Sequence, residues 1–301
     1  LFDYQLLDFG GSRKLESLSG YVIDRPSPAA ESECPLQPEL WKNADARFDE
    51  NQKSWTFRRP WPADIWIDGD GFRLPLRPTP YGHIGAFPEQ KQNWQWLAQV
   101  GRELSQALSA NKENPGSIQA MNLFAHTGGS TLALAQAGAA VAHVDAAKPN
   151  VIAAREAANA NGFSELPIRY IVDDAVKFTV REGRRKRRYD IVVLDPPAYG
   201  HSPDGKAWRI QRDLWPLLDS VLQLVKRQKG ALLVTGHTAG IDQQAVVQYI
   251  KKQSPLRDCQ SRLHCDIGRS ELIDPAGRKL DAGFFVRIVW SDEANNHAPT
   301  T

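Results

Sequence analysis

The sequence predicts an α/β protein: an open sheet of seven strands, parallel except for the last, preceded by a small β-rich domain. Three observations carry this expectation. Between Ile118 and Lys252, apolar runs of strand length alternate five times with helical patterns, which calls for right-handed crossovers and a parallel sheet. The first four runs end in a glycine turn or an acid: Thr127-Gly128-Gly129, Asp145, Asp173-Asp174 and Asp195. Such ends line one sheet edge, where ligands of open α/β folds sit. The first 82 residues differ, being rich in Pro and Trp and short in helical periodicity.

The 301 residues, 42% hydrophobic and 24% charged, suit a globular chain of two domains. No apolar run approaches the roughly 18 residues that span a bilayer, and Leu1-Phe2-Asp3-Tyr4-Gln5 lacks a signal pattern. A cytoplasmic enzyme with no membrane partner is expected. Cys34, Cys259 and Cys265 form neither a disulfide framework nor a zinc knuckle, so reduced thiols and no metal are expected. With a formal charge of +2, nucleic-acid binding has to come from local patches.

In the front domain, 1–82, strands are expected at 6–11, 21–26, 54–57, 65–67 and 72–76. The last two are joined by Asp68-Gly69-Asp70-Gly71, a hairpin signal. Residues 26–38 read as a loop. The main domain, 83–292, opens with a helix from Pro88, ended by Asn111 to Gly116. Strands at 118–125, 140–144, 168–172, 189–194 and 231–235 then alternate with helices at 130–137, 149–159, 175–182, 208–225 and 242–252. Two further strands, 260–267 and 283–290, are joined by a Pro-Gly loop, and residues 293–301 read as a disordered tail.

The first glycine turn lacks the third glycine of a dinucleotide fingerprint, since Thr131-Leu132 stands there, and NAD is disfavoured. Thr127, Gly128 and Gly129 form either a purely structural turn or a helix start that takes a ligand carboxylate. Asp145 accepts from both ribose hydroxyls of a nucleoside or caps the next helix. Asp174 is placed to accept from an adenine amine with Asp173 as cap, or the two exchange roles. Asp195-Pro196-Pro197-Ala198-Tyr199 is the sharpest motif. Two prolines remove two N–H donors, leaving the Asp195 carboxylate and the Pro196 carbonyl to hold an amine or ring N–H, while Tyr199 could stack on a flipped base.

These residues together resemble the class I S-adenosylmethionine-dependent methyltransferases, whose Rossmann-like sheet has this strand pattern. The resemblance is to the group of the large-subunit ribosomal RNA cytosine-C5 methyltransferases. It covers Leu6-Leu7-Asp8-Phe9-Gly10 with Arg13-Lys14-Leu15-Glu16, Asp24-Arg25-Pro26, and His83-Ile84-Gly85-Ala86-Phe87-Pro88-Glu89-Gln90. It continues through Asn122-Leu123-Phe124-Ala125-His126-Thr127-Gly128-Gly129, Val144-Asp145-Ala146 and Asp195-Pro196-Pro197-Ala198-Tyr199-Gly200. The front segment resembles the β-rich central domain of those enzymes; their RNA-binding PUA domain is not expected here. The resemblance implies S-adenosyl-L-methionine as cofactor, held by Phe124 with Thr127 to Gly129 at the methionine part. It further implies Asp145 with Ala146 at the ribose, Asp174 with Ala175 at the adenine, Asp195 nearby, and Phe87 and Gln90 closing over it. Lys148 either adds a polar contact or is a solvated helix start.

Methylating cytosine C5 needs a cysteine nucleophile. Relatives carry it in a Ser/Thr-Cys-Ser pattern after the fifth strand, where this chain reads Leu233-Val234-Thr235-Gly236-His237-Thr238. Direct transfer to a nitrogen is therefore expected, with Asp195, Pro196 and Tyr199 orienting a base of RNA, ribosomal RNA by preference. His237 is either a proton acceptor or polar surface. Arg181 to Arg188, six cations in eight residues, either track a phosphate backbone or form a solvated helix end. Lys14, Arg25, Arg58 and Arg59, interleaved with Trp55, Phe57 and Trp61, offer a second contact surface. Methylation of a protein side chain or small molecule, and an RNA-binding protein with a vestigial cofactor site, are the alternatives; oligomeric state is not legible.

Overall fold

The computed structural model describes residues 4–110, 117–201, 205, 207–238, 240–253 and 263–291. Cys259, the break at Asn111 to Gly116 and the tail 293–301 lie outside them. The chain divides into two compact units, Leu1–Gln95 with Arg269–Ala282, and Trp96–Gly268 with Gly283–Thr301. The division expected after residue 82 instead follows Gln95, and part of the C-terminal hairpin joins the first unit.

In the first unit β1 (Tyr4–Gly10), β2 (Arg13–Leu18) and β3 (Tyr21–Pro26) form a meander. A 3-10 turn at Pro28–Ala30, inside the stretch expected as loop, and α1 (Pro38–Lys42) lead to β4 (Ala46–Asp49) and β5 (Ser54–Phe57). These five strands form one sheet in chain order, antiparallel except between β3 and β4. β2 and β4 were not expected. In β2 the charged Lys14 and Glu16 are buried along with Leu15, which hides the alternation that marks a half-buried strand. β6 (Trp66–Asp68) and β7 (Arg73–Pro75) make the hairpin that the Asp-Gly-Asp-Gly turn announces.

Two buried carboxylates tie this unit together. Glu16 accepts from Tyr4 Oη at 2.8 Å, from Lys14 Nζ at 3.0 Å, and from Arg25 through Nη2 at 2.9 Å and through Nε. Asp8 accepts from the N–H groups of Phe9, Leu36 and Gln37 at 2.9, 3.1 and 2.9 Å. It also accepts from Trp41 Nε1 at 2.8 Å and from Arg278, in the C-terminal piece of the unit, at 2.5 Å. Arg58 and Arg59 both pair with Asp45, at 3.1 and 3.4 Å. The four cations expected to form a second RNA surface are thus each engaged by a carboxylate.

The second unit starts within α2 (Lys91–Ala110) and contains the large sheet. β8 (Gln119–Leu123), α3 (Gly129–Gln136), β9 (Ala140–Asp145), α4 (Lys148–Ala160), β10 (Ile168–Val172), α5 (Ala175–Arg184) and β11 (Ile191–Leu194) follow in order. A short hairpin, β12 (Tyr199–His201) with β13 (Ala207–Arg209), precedes α6 (Ile210–Leu222), β14 (Lys229–Gly236), α7 (Gln243–Lys252), β15 (Leu263–Ile273) and β16 (Lys279–Ser291). The strand order is β10-β9-β8-β11-β14-β16-β15. The five strands from β10 to β14 are parallel, and β16 runs antiparallel to β14, as the sequence predicts. Central strands are buried on both faces: Met121, Val192, Leu194, Leu232 and Val234 are almost inaccessible and pack with Leu214, Leu218 and Trp290. Among the described residues no helix is long and apolar enough to cross a membrane. Trp208 belongs to β13, so the helix expected from it starts at Ile210.

Burial opposes ionisation of Glu16, but Arg25 and then Lys14 outweigh it and hold the carboxyl at about 2. With the folded value below the ordinary one, its contribution is full above about pH 4.5 and is lost as the pH falls toward 2. Glu16→Gln leaves the buried Arg25 charge uncompensated and is expected to cost about 3–5 kcal/mol. Urea unfolding at neutral pH checks this, and the gap between variant and wild type should close in acid.

Candidate active site

The parallel strands β8, β9, β10, β11 and β14 all end at one edge of the sheet. After β8 the backbone turns through three left-handed residues, Phe124, His126 and Gly128, at φ 57°, 46° and 94°. Two of them are not glycine, a strained arrangement that persists only where neighbours impose it. Here Ala125 N donates to Val144 O at 3.0 Å, Gly128 N to Ala125 O at 3.0 Å, and His126 N to Asp145 Oδ2 at 2.8 Å. Gly128 is also a packing requirement, because a Cβ there would lie 3.0 Å from Ala154 Cβ. It stands at the N-cap of α3 and, having no side chain, gives that helix no side-chain cap. α5 and α7 differ, starting on Asp174 and Asp242, which accept from Lys177 N and Ala245 N at 2.8 and 2.7 Å.

Beneath the turn, Asn122 Nδ2 donates to Thr131 Oγ1 at 2.9 Å, and Thr131 Oγ1 pairs with His143 Nδ1 at 2.9 Å. Burial, with a smaller contribution from His126, lowers the His143 imidazole to about 3, so it is neutral and structural. His126 is half-buried, with Nδ1 3.2 Å from Thr127 Oγ1. Burial lowers its basicity, and the charges of Asp145 and Asp195 act the other way.

Asp145 Oδ1 accepts from Ala147 N at 2.8 Å and Asn150 Nδ2 at 3.1 Å, and Oδ2 from His126 N. A carboxylate offers about four acceptor directions, so room is left for one further donor rather than two ribose hydroxyls. The carboxylate organises the start of α4 and keeps one acceptor direction open. Ala146 beside it is half-buried and Lys148 exposed.

Of the two acids after β10, Asp174 is the one that caps a helix. Asp174 caps α5 through Oδ1, while Asp173 accepts from Asp174 N at 2.9 Å and forms an ion pair with Arg181. Capping leaves Asp174 Oδ2 as the acceptor on this strand end. Ala175 is buried in the core and has only backbone to offer a ligand.

Asp195 ends β11 half-exposed, its Oδ1 accepting from Thr235 Oγ1 at 2.5 Å. Thr235 is buried near the end of β14, within the segment where relatives carry the cysteine pattern. Pro196 is buried and Pro197 exposed. Pro197 O accepts from Trp208 Nε1 at 2.8 Å, and the Trp208 ring lies 4.9 Å from that of Phe124. The Pro-Pro turn and the glycine turn thus share an aromatic contact. Tyr199 opens β12 with 54% of its surface exposed.

His237 is exposed on the β16 side of β14, where a Cβ on Gly283 would come within 2.6 Å of its Nδ1. Among the described residues no hydrogen bond joins it to Asp195. Phe87 and Gln90 belong to the first unit: the Phe87 ring contacts His83 at 5.7 Å, and Gln90 is buried, accepting from Asn93 at 2.7 Å. Cys34 is exposed in the first unit, and Cys265 sits on β15 with its thiol pushed up by burial. Among the described residues no cluster of acids, His and Cys could hold a metal ion. Two participants escaped sequence reasoning. His126 stood inside a quoted motif without a role, and Thr235 was noted only for not being cysteine.

This strand order, with its glycine turn and strand-end acids, is that of the class I S-adenosylmethionine-dependent methyltransferases. No family model matches the chain. Among solved structures it is similar to a SAM-dependent methyltransferase from Agrobacterium tumefaciens, with 29% identity, 97% of this chain and 91% of that one covered, and a TM-score of 0.82. Among curated proteins it is 34% identical over 116 residues to ribosomal RNA large subunit methyltransferase K/L of Methylococcus capsulatus. It is 27% identical over 171 residues to ribosomal RNA large subunit methyltransferase I of Aeromonas salmonicida. These matches cover 38% and 56% of this chain, but only 15% and 42% of the relatives. The chain is thus a class I methyltransferase by fold, close in sequence to large-subunit rRNA methyltransferases K/L and I.

Asp145→Ala removes three hydrogen bonds from the strained turn and the α4 start at once. The unfolding free energy is expected to fall by about 1–3 kcal/mol, read from the urea midpoint. An unchanged midpoint would mean that the turn is held without this carboxylate.

Proposed function

We propose that the chain is an S-adenosylmethionine-dependent methyltransferase acting on a base nitrogen in RNA, by preference ribosomal RNA, in the cytoplasm. The observation that carries this reading is the Asp195 carboxylate, fixed by Thr235 at the end of β11 beside the glycine turn. The uncapped start of α3 suits the carboxylate of the cofactor's methionine part. The open direction on Asp145 suits a ribose hydroxyl, and Asp174 Oδ2 suits the adenine amine. When bound, S-adenosylmethionine supplies a methyl group already activated on a sulfonium.

The protein's own task is then to position a nucleophile and remove its proton. Thr235 occupies Asp195 Oδ1, which leaves Oδ2 to accept an N–H of the target base with the Pro196 carbonyl alongside. Tyr199, exposed beside this turn, offers a stacking surface for a base taken out of its helix. His126 replaces His237 as the proposed proton acceptor. Burial keeps it neutral and able to take a proton, and Asp145 and Asp195 favour the imidazolium that results. Attack by a nitrogen lone pair needs no covalent bond between protein and base, in keeping with Thr235-Gly236-His237 where relatives carry the cysteine.

The test supplies S-adenosylmethionine labelled on its methyl group to the protein together with ribosomal RNA and ribosomal protein. Label is expected in the RNA fraction and is lost in Asp195→Ala. Thr235→Val, which removes a hydrogen bond to a charged group, should slow transfer about tenfold or more without weakening cofactor binding, and Thr235→Ser should restore it. Label confined to protein would overturn the RNA assignment, and calorimetric binding of the cofactor with no transfer to either would overturn the enzymatic one.

A further inference from the structure

At the edge of the large sheet opposite Asp195, where β8, β9 and β10 begin, lies a cavity of about 370 Å³. Arg169, Lys186, Arg187 and Arg188 stand around it, over a floor that includes Ala140 and Val141. All four cations are exposed. Among the described residues no carboxylate forms an ion pair with any of them. The neighbouring acids are engaged elsewhere: Glu182 accepts from Tyr189 Oη at 2.6 Å and Arg185 Nη1 at 2.9 Å, and Asp190 pairs with Lys226 at 2.8 Å.

A run of cations at the end of a helix is ordinarily a solvated tail, but this one is held. Lys186 is left-handed at φ 56°, its N–H donates to Gly183 O at 3.0 Å, and Arg187 N donates to Glu182 O at 3.1 Å. Three residues on, Asp190 N donates to Gln119 O at 2.7 Å, stitching the segment to the start of β8. Four positive charges fixed around one concavity repel each other and focus potential into it, an arrangement that an anion relieves. The volume lies at the low end for ligand sites, with room for a phosphate and its sugar. Tyr189 is the one aromatic residue lining it, and its hydroxyl is held by Glu182, so a stacked base is not what the cavity is built for. Arg184 and Arg185 continue the positive line outside it.

We infer that this cavity is a second RNA contact, taking a backbone phosphodiester of the substrate on the edge of the sheet away from the methyl-transfer site. The inference rests on the RNA reading proposed above. It deepens that reading, because an RNA engaging both edges must pass round the domain, which favours a folded RNA over a short single strand.

The test measures binding of a fluorescein-labelled stem-loop RNA of the large ribosomal subunit across a range of KCl concentrations. The full chain is compared with the combined variant Arg169→Ser, Lys186→Ser, Arg187→Ser and Arg188→Ser, and with a version in which the three arginines become lysine. The serine variant is expected to bind RNA at least about tenfold more weakly and to lower the slope of log affinity against log salt by about one, at roughly 0.7–0.9 for the one phosphate contact. The lysine version should keep both. S-adenosylmethionine affinity, read by calorimetry, should be the same in all three, which separates loss of the RNA contact from loss of the fold. RNA binding by the wild type that is undiminished in the serine variant would overturn the second contact while leaving the RNA reading intact. Cofactor binding with no RNA binding by the wild type would overturn both. Inorganic phosphate binding that the wild type shows and the serine variant loses, with RNA affinity equal in the two, would show a small-anion site instead.

Discussion

The site edge depends on the carboxylate of Asp145. Its three donors come from the turn after β8 and from both the backbone and the side chain of the α4 start. Without it, the left-handed His126 would have no partner for its N–H across the β9 end, and the glycine turn would lose the bond that fixes its direction. Together these bonds are worth about 1–3 kcal/mol, the order of the cost of one strained residue of this kind. Asp174 repeats the arrangement at the next strand end, capping α5 with one oxygen and leaving the other open. Strand-end acids here are structural connectors that retain a limited acceptor capacity, and that remaining capacity is what a nucleoside could use.

The same logic organises the last turn. The two prolines of Asp195-Pro196-Pro197 cannot donate hydrogen bonds, and Trp208 takes the Pro197 carbonyl while packing on Phe124. Thr235 then fixes one oxygen of Asp195 from the neighbouring strand. Under the function proposed above, this threonine orients the acid as an acceptor for the N–H of a base.

Much of this was legible in the sequence. The central parallel strands β11 and β14 are buried on both faces and read as apolar runs, and the edge strand β10 spans the expected 168–172. The count of seven strands, one of them antiparallel, followed from the β-α repeats and the terminal pair. What escaped were elements whose residues contradict their burial. β2 carries Lys14 and Glu16 into the interior because Arg25 and Tyr4 meet them there. β12 and β13 are three residues each, too short to show a period. At the site, residue type located the acids but not their partners. Whether Asp173 or Asp174 caps α5, and that the His126 N–H turns to Asp145, are matters of backbone direction that spacing does not encode.

The central claim is direct transfer to a nitrogen. It is tested most directly by digesting RNA methylated by the purified protein to nucleosides and identifying the product by mass spectrometry. The account predicts a base methylated on a nitrogen, with no protein–RNA adduct trapped by a mechanism-based cytosine analogue. 5-Methylcytidine as the product would contradict it.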